Sequence, residues 1–526
     1  MGKSFKQSEF ERFFASELFR QVQLRALFPD SKTFADAIAN SALDEVMAEY
    51  QKNSVQDGFD LQDFVASHFQ LPRENELNST LSHEHIDEQV QHLWQVLRKP
   101  ADIGRNDSLI ALPNAYTVPG GRFREVYYWD SYFAAIGLLL SGQSAAVKNL
   151  LENFIYLQNT VGLIPNGNRW YYAGRSQPPV LALLAELVTK ETETTLAERK
   201  RYQLAVEQEY EFWMSGVEKL EANQQHRRVC KLANGMVLNR YFDDHDGPRP
   251  ESYAEDIELN EQLANGSEGA FYRNVRAACE SGWDFSTRWF KSLEMQSIAT
   301  TQILPIDLNS LLYFTETYLA KCHADDPGSD RKMHFQLAAE RRKQAINEVF
   351  WCPMRGNFVD YWFDEGRLSE VESLAGVWPL FVGLASQQQA DAVAQSLQYK
   401  FLNAGGMVTT LNNSGQQWDA PNGWAPLQWI TVQGLHQYGH HTLAIETAQR
   451  WLETVQTTYT ATGKFMEKYD VSSPEKMATG GEYEVQEGFG WTNGVTLGLI
   501  DYLGKVAPGA LAMLSLSKSK LKGFDT

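Results

Sequence analysis

The sequence predicts a mostly helical fold, in which pairs of helices form a closed ring and long loops at one end of the ring build a pocket. From Trp129 onward, apolar residues recur with the three-to-four-residue period of buried helix faces. Strand signals are sparse, and the one good hairpin pairs 228–231 with 236–241 around an Ala-Asn-Gly turn. The helices lack the fixed sequence period of repeat proteins, which favours a closed ring over an open solenoid.

The first hundred residues form a separate helical pattern, predicted to be an N-terminal extension packed on the main body. Phe10, Phe13, Phe14 and Leu18 mark the apolar face of a first helix. Two more helices are predicted, over 59–69 and 83–97. The predicted divisions of the chain are 1–100 for the extension, 101–510 for the ring domain and 511–526 for a tail.

The helices of the ring follow one another along the rest of the chain. Their apolar faces predict helices over 129–140, 147–157, 178–188, 202–213, 308–322, 335–349, 369–384, 389–399, 427–438, 443–459 and 489–503. Loops rich in Gly, Pro and aromatic residues separate them at 113–128, 159–177, 242–253, 404–424 and 463–488. Long ordered loops in a compact domain are usually functional, so we expect the site there.

The charge of the chain limits its partners. It has 526 residues with 47 Lys and Arg against 66 Asp and Glu, a formal net charge of −19. This argues against nucleic acid, because phosphate binding needs concentrated basic residues, and against anchoring on anionic lipid. The longest apolar runs, such as 134–140, are too short to span a bilayer. The predicted partners therefore include neither nucleic acid nor a membrane.

The cysteines and the N-terminus bear on the compartment. Cys230, Cys279, Cys322 and Cys352 are widely spaced, without the C-x-x-C pattern of zinc or thioredoxin-like sites. Scattered single cysteines suit a reducing compartment, and the N-terminus has no apolar stretch of the signal-peptide kind. We expect a cytoplasmic protein, or a periplasmic one if this N-terminus is a processed one.

The loops repeatedly place an acid beside an aromatic ring, at 129–130, 283–284, 418–419, 469–470 and 482–483. This inventory suits glycoside hydrolysis, in which one protonated carboxylic acid protonates the leaving oxygen and a second carboxylate acts as base or nucleophile. Asp284 lies between Trp283 and Phe285, an apolar setting that would raise its pKa if it is buried. Glu467 and Glu482 flank a glycine-containing segment that could close over a ligand.

Each candidate acid has a structural alternative. Asp284 could cap the short helix that follows it, and Glu482 rivals Glu467 as the base on chemistry alone. Asp130 could serve as the acid of a helix N-terminus. Asp419 could contact sugar or bind loop backbone, and Arg288 is predicted to form a structural ion pair.

Metal and phosphate sites are weakly indicated. The acidic segment 243–247 hints at a calcium loop, but the twelve-residue EF-hand spacing fails in both registers. His83, His85 and His92 are predicted to lie on a solvated helix face. The glycine-rich segment 480–490 lacks the Gly-Lys-Ser/Thr end of a phosphate loop. We therefore expect no cofactor.

With these residues in view, two stretches resemble the signature motifs of trehalases of glycoside hydrolase family 37. The first runs from 119–123 to 129–132, and the second from 417–419 to 421–426. Shorter matches lie at 28–34, 164–175, 249–252, 281–286 and 467–469, so the resemblance covers roughly 25–503.

The resemblance implies an (α/α)6 toroid that hydrolyses α,α-trehalose to two glucose molecules with inversion and without metal. By motif position, Asp284 matches the general acid and Glu467 the general base. The three essential arginines correspond to Arg122, Arg175 and Arg249. The positions that line the sugar sites correspond to Phe123, Trp129, Asp130, Asn166, Gln177, Glu251, Gly282, Trp418 and Glu482.

Physical chemistry agrees with these roles. An inverting pair of carboxyl groups stands roughly 6.5–9.5 Å apart to admit a water molecule, and neighbouring arginines would keep Glu467 ionised. One departure from the family pattern is a shorter glycine run, 477–481, before Glu482, which bears on the flexibility of a lid. We expect a monomer. Two alternatives stay open at this point: another inverting (α/α)6 α-glucosidase and a catalytically inactive sugar-binding protein.

Overall fold

The computed structural model describes residues 5–72, 85–263, 268–324 and 330–514, and this part of the chain is mostly helical. In chain order the helices are α1 (Phe5–Phe14), α2 (Glu17–Leu24), α3 (Ser31–Ala35), α4 (Leu43–Asn53), α5 (Leu61–His68), α6 (Ile86–Leu97), α7 (Tyr128–Leu140), α8 (Ser144–Val161), α9 (Leu181–Glu191), α10 (Leu196–Trp213), α11 (Tyr253–Glu261), α12 (Glu268–Ser281), α13 (Ile306–Cys322), α14 (Arg331–Val349), α15 (Trp378–Phe381), α16 (Gln387–Ser396), α17 (Ala425–Gln437), α18 (His441–Thr462), α19 (Gly490–Val506) and α20 (Pro508–Met513).

Six helices form the inner ring of an (α/α)6 toroid. Helices α7, α9, α13, α15, α17 and α19 each pack on the next, and α19 packs back along α7 to close the ring. All residues of α7 are buried, as expected for a helix with protein on every side. The closing contact is tight: a Cβ built on Gly137 would lie 2.6 Å from the Cα of Gly494. Two facing glycines thus let the first and last inner helices meet.

Six further helices, α6, α8, α10, α14, α16 and α18, alternate with the inner ones along the chain. Most of them contact the neighbouring inner helices directly; for example, α8 packs on α7 and α9, and α18 packs on α17 and α19. Helix α6 packs on α19 and completes this outer layer. The predicted closed ring of helix pairs is confirmed.

The N-terminal helices lie against the loop end of the ring. Helix α1 contacts the turn Trp170–Tyr172, and α3 contacts the turn Pro250–Ser252. One hydrophobic cluster includes both Phe10 and Leu514. Helix α20 crosses the predicted boundary at residue 510, and 515–526 lie outside the described residues. The predicted domain boundaries stay predictions.

The strands of the described residues are short and pair antiparallel in small sheets. They are β1 (Ile38–Ala39) with β2 (Phe69–Gln70), β3 (Arg98–Lys99) with β4 (Tyr116–Thr117), β5 (Gln224–His226), β6 (Val229–Lys231) and β7 (Val237–Asn239) in one sheet, β8 (Ile303–Leu304) with β11 (Tyr361–Trp362) and β12 (Arg367–Leu368), β9 (Trp351–Cys352) with β10 (Asn357–Phe358), β13 (Leu402–Asn403) with β14 (Gly406–Met407), and β15 (Asn422–Trp424) with β16 (Lys468–Asp470). The predicted hairpin is confirmed as β6 and β7.

The helix predictions differ from the structure in three ways. The predicted helix over 369–384 is wrong in extent, because only the 3-10 turn Leu374–Val377 and the short α15 are helical. The predicted first helix divides into α1 and α2, since Ser16 caps α2 by accepting a hydrogen bond from the backbone N–H of Phe19. Helices α3, α4, α11, α12 and α20 were not predicted at all, although α12 buries Phe271, Tyr272 and Val275.

Candidate active site

The loops at one end of the ring enclose a cavity of about 740 Å³, including its open mouth. All fourteen residues predicted for the site line it: Arg122, Phe123, Trp129, Asp130, Asn166, Arg175, Gln177, Arg249, Glu251, Gly282, Asp284, Trp418, Glu467 and Glu482. The roles assigned to them stay predictions.

Asp284 lies in the loop that follows α12. Gly282 begins this loop with φ +74°, and a Cβ there would lie 2.9 Å from the Trp129 indole, so the chain needs glycine for this approach. Trp283 stacks on Trp418 with ring centroids 5.2 Å apart. The carbonyl of Asp284 accepts a hydrogen bond from the amide of Gln417. The loop therefore holds the carboxyl group at the cavity between packed rings.

The electrostatic setting of Asp284 favours its protonated form. Burial raises the pKa of Asp284 to about 7, and the negative charge of Glu482 adds to this, while Arg249 and Arg175 oppose it. The alternative role as a helix cap does not apply, because Ser286 caps the following turn Thr287–Trp289.

Glu467 stands immediately before β16 and is 2% exposed. Its backbone N–H donates to the carbonyl of Gln486 at 2.9 Å, and its carbonyl accepts from the Trp491 indole at 2.9 Å. The Tyr483 hydroxyl donates to its Oε1 at 2.8 Å. Its Oε2 has no hydrogen-bond partner among the described residues. One carboxylate oxygen is thus fixed, and the other is left for a ligand or water.

Opposing electrostatic effects act on the pKa of Glu467. Burial raises this pKa above its ordinary value, while Lys468, the Tyr483 hydrogen bond and Arg122 lower it. The effect of Arg122 agrees in direction with the predicted influence of arginine, and it is smaller than that of Lys468. The prediction that arginines keep Glu467 ionised stays a prediction.

Glu482 was the rival for the role of base, and its contacts differ from those of Glu467. Its two carboxylate oxygens accept from Arg249, at 2.9 Å from Nη2 and 3.3 Å from Nη1. Both oxygens of Glu482 are thus held by one arginine, whereas Glu467 keeps one oxygen without a partner among the described residues. The geometry therefore favours Glu467.

Each of the three predicted arginines is held differently. Arg175 pairs with Glu251 at 2.5 Å and with Asp243 at 3.2 Å. Arg249 pairs with Asp256 at 2.6 Å in addition to Glu482.

Arg122 has no carboxylate within ion-pair distance among the described residues. Its guanidinium lies 4.8 Å from the centre of the Tyr483 ring, a cation–π contact. Its backbone N–H donates to Gln486 at 2.7 Å. This arginine is therefore held by the segment after Glu482.

The remaining predicted residues form the floor and sides of the cavity. The backbone N–H of Trp129 donates to Gln177 at 2.9 Å, and the Asn166 amide donates to the Cys279 carbonyl at 3.0 Å. Phe123 meets Tyr483 edge to face at 5.5 Å. The remaining members of the set are Asp130, in the first turn of α7, and Trp418, stacked 3.9 Å from Trp424. Burial raises the pKa of Asp130 well above its ordinary value.

Several lining residues were missed by the sequence reasoning. They are Lys32, Tyr127, Tyr172, Ser252, Cys279, Trp424, Tyr483, Phe489 and Trp491. Trp424, Tyr172 and Ser252 stand inside the matched stretches and could have been assigned from them. Lys32 also stands in a matched stretch, at 28–34, but it reaches the cavity only because α3 packs on the loop end of the ring. Its ammonium pairs there with Glu125 at 2.8 Å.

The contacts of Asp419 and Arg288 decide between the roles considered for these two residues. Asp419 accepts hydrogen bonds from Ser286, Thr287, Thr410 and Ser414 and does not line the cavity, so it binds loop backbone and hydroxyls. The structural ion pair of Arg288 is confirmed by its contacts with two buried aspartates.

The metal alternatives gain no support. Asp243, in the segment that hints at calcium, pairs with Arg175 and Arg276. No group of three or more His, Cys, Asp or Glu side chains suited to a metal occurs in the described ranges, and His83 lies outside them. No helix there is long and apolar enough to cross a membrane.

Known proteins resemble this chain over most of its length. The sequence profile of the trehalase family matches residues 26–504. The chain is 45% identical over 489 residues to proteins named periplasmic trehalase from Salmonella paratyphi B and Salmonella dublin, covering 92% of this chain and 85% of each relative.

Solved structures resemble its fold. The neutral trehalase of Saccharomyces cerevisiae superposes with a TM-score of 0.63 and 28% identity, covering 76% of this chain and 75% of that one. A mannosylglycerate hydrolase from Thermus thermophilus superposes with a TM-score of 0.51 and 17% identity, covering 78% of this chain and 99% of the other. The latter likeness concerns the fold alone.

Proposed function

Because the chain belongs to the trehalase family and hydrolyses α,α-trehalose, we propose that it does so with inversion at one anomeric carbon. Asp284 is the general acid and Glu467 the general base. The two carboxyl groups supply the acid–base chemistry of a single displacement.

The step balances with one water molecule. Asp284 gives its proton to the glycosidic oxygen as the bond from that oxygen to the attacked C1 breaks. Water attacks C1 from the opposite face, and Glu467 takes the proton that the water loses. The departing glucose keeps its α configuration, and the attacked glucose becomes β.

Two features of Asp284 support the role of acid. With a pKa of about 7, a large fraction of the group is protonated at neutral pH, which a general acid requires. Trp283 and Gln417 fix the loop on either side, so the proton is presented from a rigid support.

The observation that carries the proposal is the asymmetry of the Glu467 carboxylate. Its Oε1 accepts from Tyr483, and its Oε2 is buried without a partner beside the cavity. A buried carboxylate oxygen without a hydrogen bond is costly unless a ligand supplies one. A water molecule placed for attack on C1 would supply it, and Oε2 would then accept its proton.

The paired arginines would bind the sugar hydroxyls. Charge-assisted hydrogen bonds to hydroxyls are directional and strong. Arg175 with Glu251, and Arg249 with Glu482, offer donors and acceptors side by side, which matches hydroxyls that both donate and accept. The aromatic rings Phe123, Trp129 and Trp418 supply apolar faces for the sugar rings.

The first experiment tests inversion and both roles. NMR of the first turnover of trehalose is expected to show one β-glucose and one α-glucose for each molecule cleaved. Only α-glucose as first product would contradict inversion.

Asp284→Asn is expected to lose turnover while trehalose binding persists in calorimetry, and near-normal activity of this variant would overturn the assignment. Glu467→Gln is expected to lose turnover in the same way.

Assays on the unchanged protein distinguish the two alternative functions. Preference for maltose or maltotriose over trehalose, measured by glucose release, would indicate another inverting α-glucosidase. Trehalose bound but not hydrolysed would indicate an inactive sugar-binding protein.

The compartment is a finer question. The Salmonella relatives are named periplasmic, in conflict with the cytoplasmic prediction. The four cysteines form no disulfide, which suits a reducing compartment, and on that ground we propose the cytoplasm. Cell fractionation tests it: release of the activity by osmotic shock would contradict the proposal.

We propose that the protein is a monomer. Light scattering after size exclusion measures the mass, which is expected near the 59.7 kDa of one chain. Twice that mass at assay concentration would contradict it.

A further inference from the structure

Lys468 follows Glu467 directly, but its side chain belongs to a different network. Lys468 is fully buried at the start of β16. The ammonium donates to the Gln417 side-chain oxygen at 2.8 Å and to the carbonyl of Gly480 at 2.6 Å. It lies 5.5 Å from the centre of the Trp424 ring.

The network continues to Asp284. The amide nitrogen of Gln417 donates to the Asp284 carbonyl, while the oxygen of the same amide accepts from Lys468. The orientation of this amide is therefore fixed by both contacts. A side chain rotated by half a turn would place its nitrogen against the ammonium, where two donors face each other.

The same ammonium reaches the segment that closes the cavity. Gly480 precedes Glu482 and Tyr483, which contact Arg249 and Glu467. Gly480 has φ +84°, and Gly481 approaches the Gln417 side chain so closely that a Cβ would lie 2.7 Å from its oxygen. The segment 480–483 is thus fastened at one point by Lys468 and at two points by the site.

From these contacts we propose that Lys468 is a positioning residue that joins the acid loop, the base and the closing segment 480–483. It acts on Asp284 through Gln417, on Glu467 through the backbone and its charge, and on Tyr483 through Gly480. This inference rests on the proposed roles of Asp284 and Glu467.

Removing the ammonium changes both geometry and charge. The Gln417 amide loses the partner that orients it, and misplacement of a catalytic group by about 1 Å can cost on the order of 10²-fold in rate. The positive charge of Lys468 also favours the ionised form of Glu467. Its loss raises the pKa of Glu467, so the low-pH limb of activity moves to higher pH.

Other groups act on Glu467 as well, so the charge effect needs a control. Arg122 from the 113–128 loop and Tyr483 from the closing segment lower the pKa of Glu467. Asp130 from α7 and Asp284 from the acid loop are its acidic neighbours in the cavity. Lys468→Arg keeps the charge while changing the shape of the donor, and it leaves all these groups in place.

The test compares kcat, KM and the pH profile for trehalose in three variants. Lys468→Met is expected to lower kcat by about 10–100-fold, to change KM by less, and to move the low-pH limb upward. Lys468→Arg is expected to keep the limb where it is in the unchanged protein. Lys476→Met, an exposed lysine of the same loop, is the matched control and is expected to change nothing.

Each result decides the proposal. The proposal is overturned if Lys468→Met leaves both kcat and the low-pH limb of the pH profile unchanged. It is also overturned if the low-pH limb moves as far in Lys468→Arg as in Lys468→Met. If Lys468→Met does not fold, Gln417→Glu takes its place: it keeps the acceptor for Lys468 and removes the donor to Asp284. Lower kcat at steady KM is then expected, and unchanged kcat overturns the proposal. Asp284→Asn in the same assay separates failure of this proposal from failure of the proposed function.

Discussion

Two buried arginines, Arg288 and Arg249, each bind two carboxylates, but only one of them lines the cavity. Arg288 forms two forked pairs, with Asp307 at 2.8 and 2.9 Å and with Asp360 at 2.6 and 2.9 Å. All three side chains are at most 3% exposed. We call this set the core arginine cluster.

The second set, Arg249 with Asp256 and Glu482, is the pocket arginine cluster. Asp256 is fully buried, as in the core cluster, whereas the Glu482 side chain is 26% exposed and belongs to the closing segment. Arg249 therefore has one partner in the interior and one partner that lines the cavity. Both partners of Arg288 lie in the interior, so Arg288 serves the structure, whereas Arg249 is placed where a ligand can meet it.

The largest effect is expected in the core cluster. Arg288→Met leaves Asp307 and Asp360 buried without a cation, which typically costs about 3–5 kcal/mol. Denaturant unfolding followed by fluorescence measures this free energy. KM of the protein that remains folded is expected to stay unchanged. A loss below about 1 kcal/mol would show that the core cluster does not hold the loop of Asp284.

A change in the pocket arginine cluster is expected to lower activity more than stability. Arg249→Lys keeps the charge but loses the fork that serves two carboxylates. We expect kcat/KM for trehalose to fall by about 10²-fold, because hydrogen bonds to charged groups contribute about 1.5–3 kcal/mol each. The unfolding free energy is expected to fall less than in Arg288→Met. The reverse order of the two stability losses would contradict the comparison.

Glu482→Gln sharpens the difference between the two partners of Arg249. The ion pair between Glu482 and Arg249 is partly exposed, so the free energy of unfolding is expected to change by at most about 1 kcal/mol. KM is expected to rise about 10-fold through the loss of one charged contact. Asp360→Asn is the matched change in the core cluster, and it should lower stability while KM stays the same. Steady-state kinetics and thermal unfolding of both variants give the comparison.

Much of the ring could be predicted from the sequence, because a buried helix face repeats visibly along the chain. Tyr128–Leu140 and His441–Thr462 are long enough for that period to appear. The same reasoning failed for 369–384, where Pro379 and the close contact of Gly376 with the Phe358 carbonyl leave only short turns. It also missed α12, in which polar and charged residues interrupt the apolar face.

The site was predicted through motif position and loop chemistry, and its fourteen residues do line one cavity. What could not be predicted is how side chains pair across distant loops. Nothing in the local sequence of Tyr483 indicates that it holds Glu467, or in that of Lys32 that it reaches the cavity from α3. The burial that raises the pKa of Glu467 could not be predicted either, since it depends on how distant parts of the chain pack around this residue.

The smallest expected effect is a shift in the pH profile, and it is the most specific to the pocket cluster. Burial and the negative charge of Glu482 together raise the pKa of Asp284 to about 7, against the opposing charges of Arg249 and Arg175. A general acid must be protonated, so kcat/KM falls as pH rises through this pKa. Glu482→Gln removes the negative charge and lowers the pKa of Asp284, which moves the high-pH limb to lower pH. Asp307→Asn, in the core cluster, is expected to leave the limb in place, measured as kcat/KM between about pH 5 and 9. An unmoved limb in Glu482→Gln, or an equal shift in Asp307→Asn, would mean that the acid is tuned by burial alone and that the two clusters do not differ in this respect.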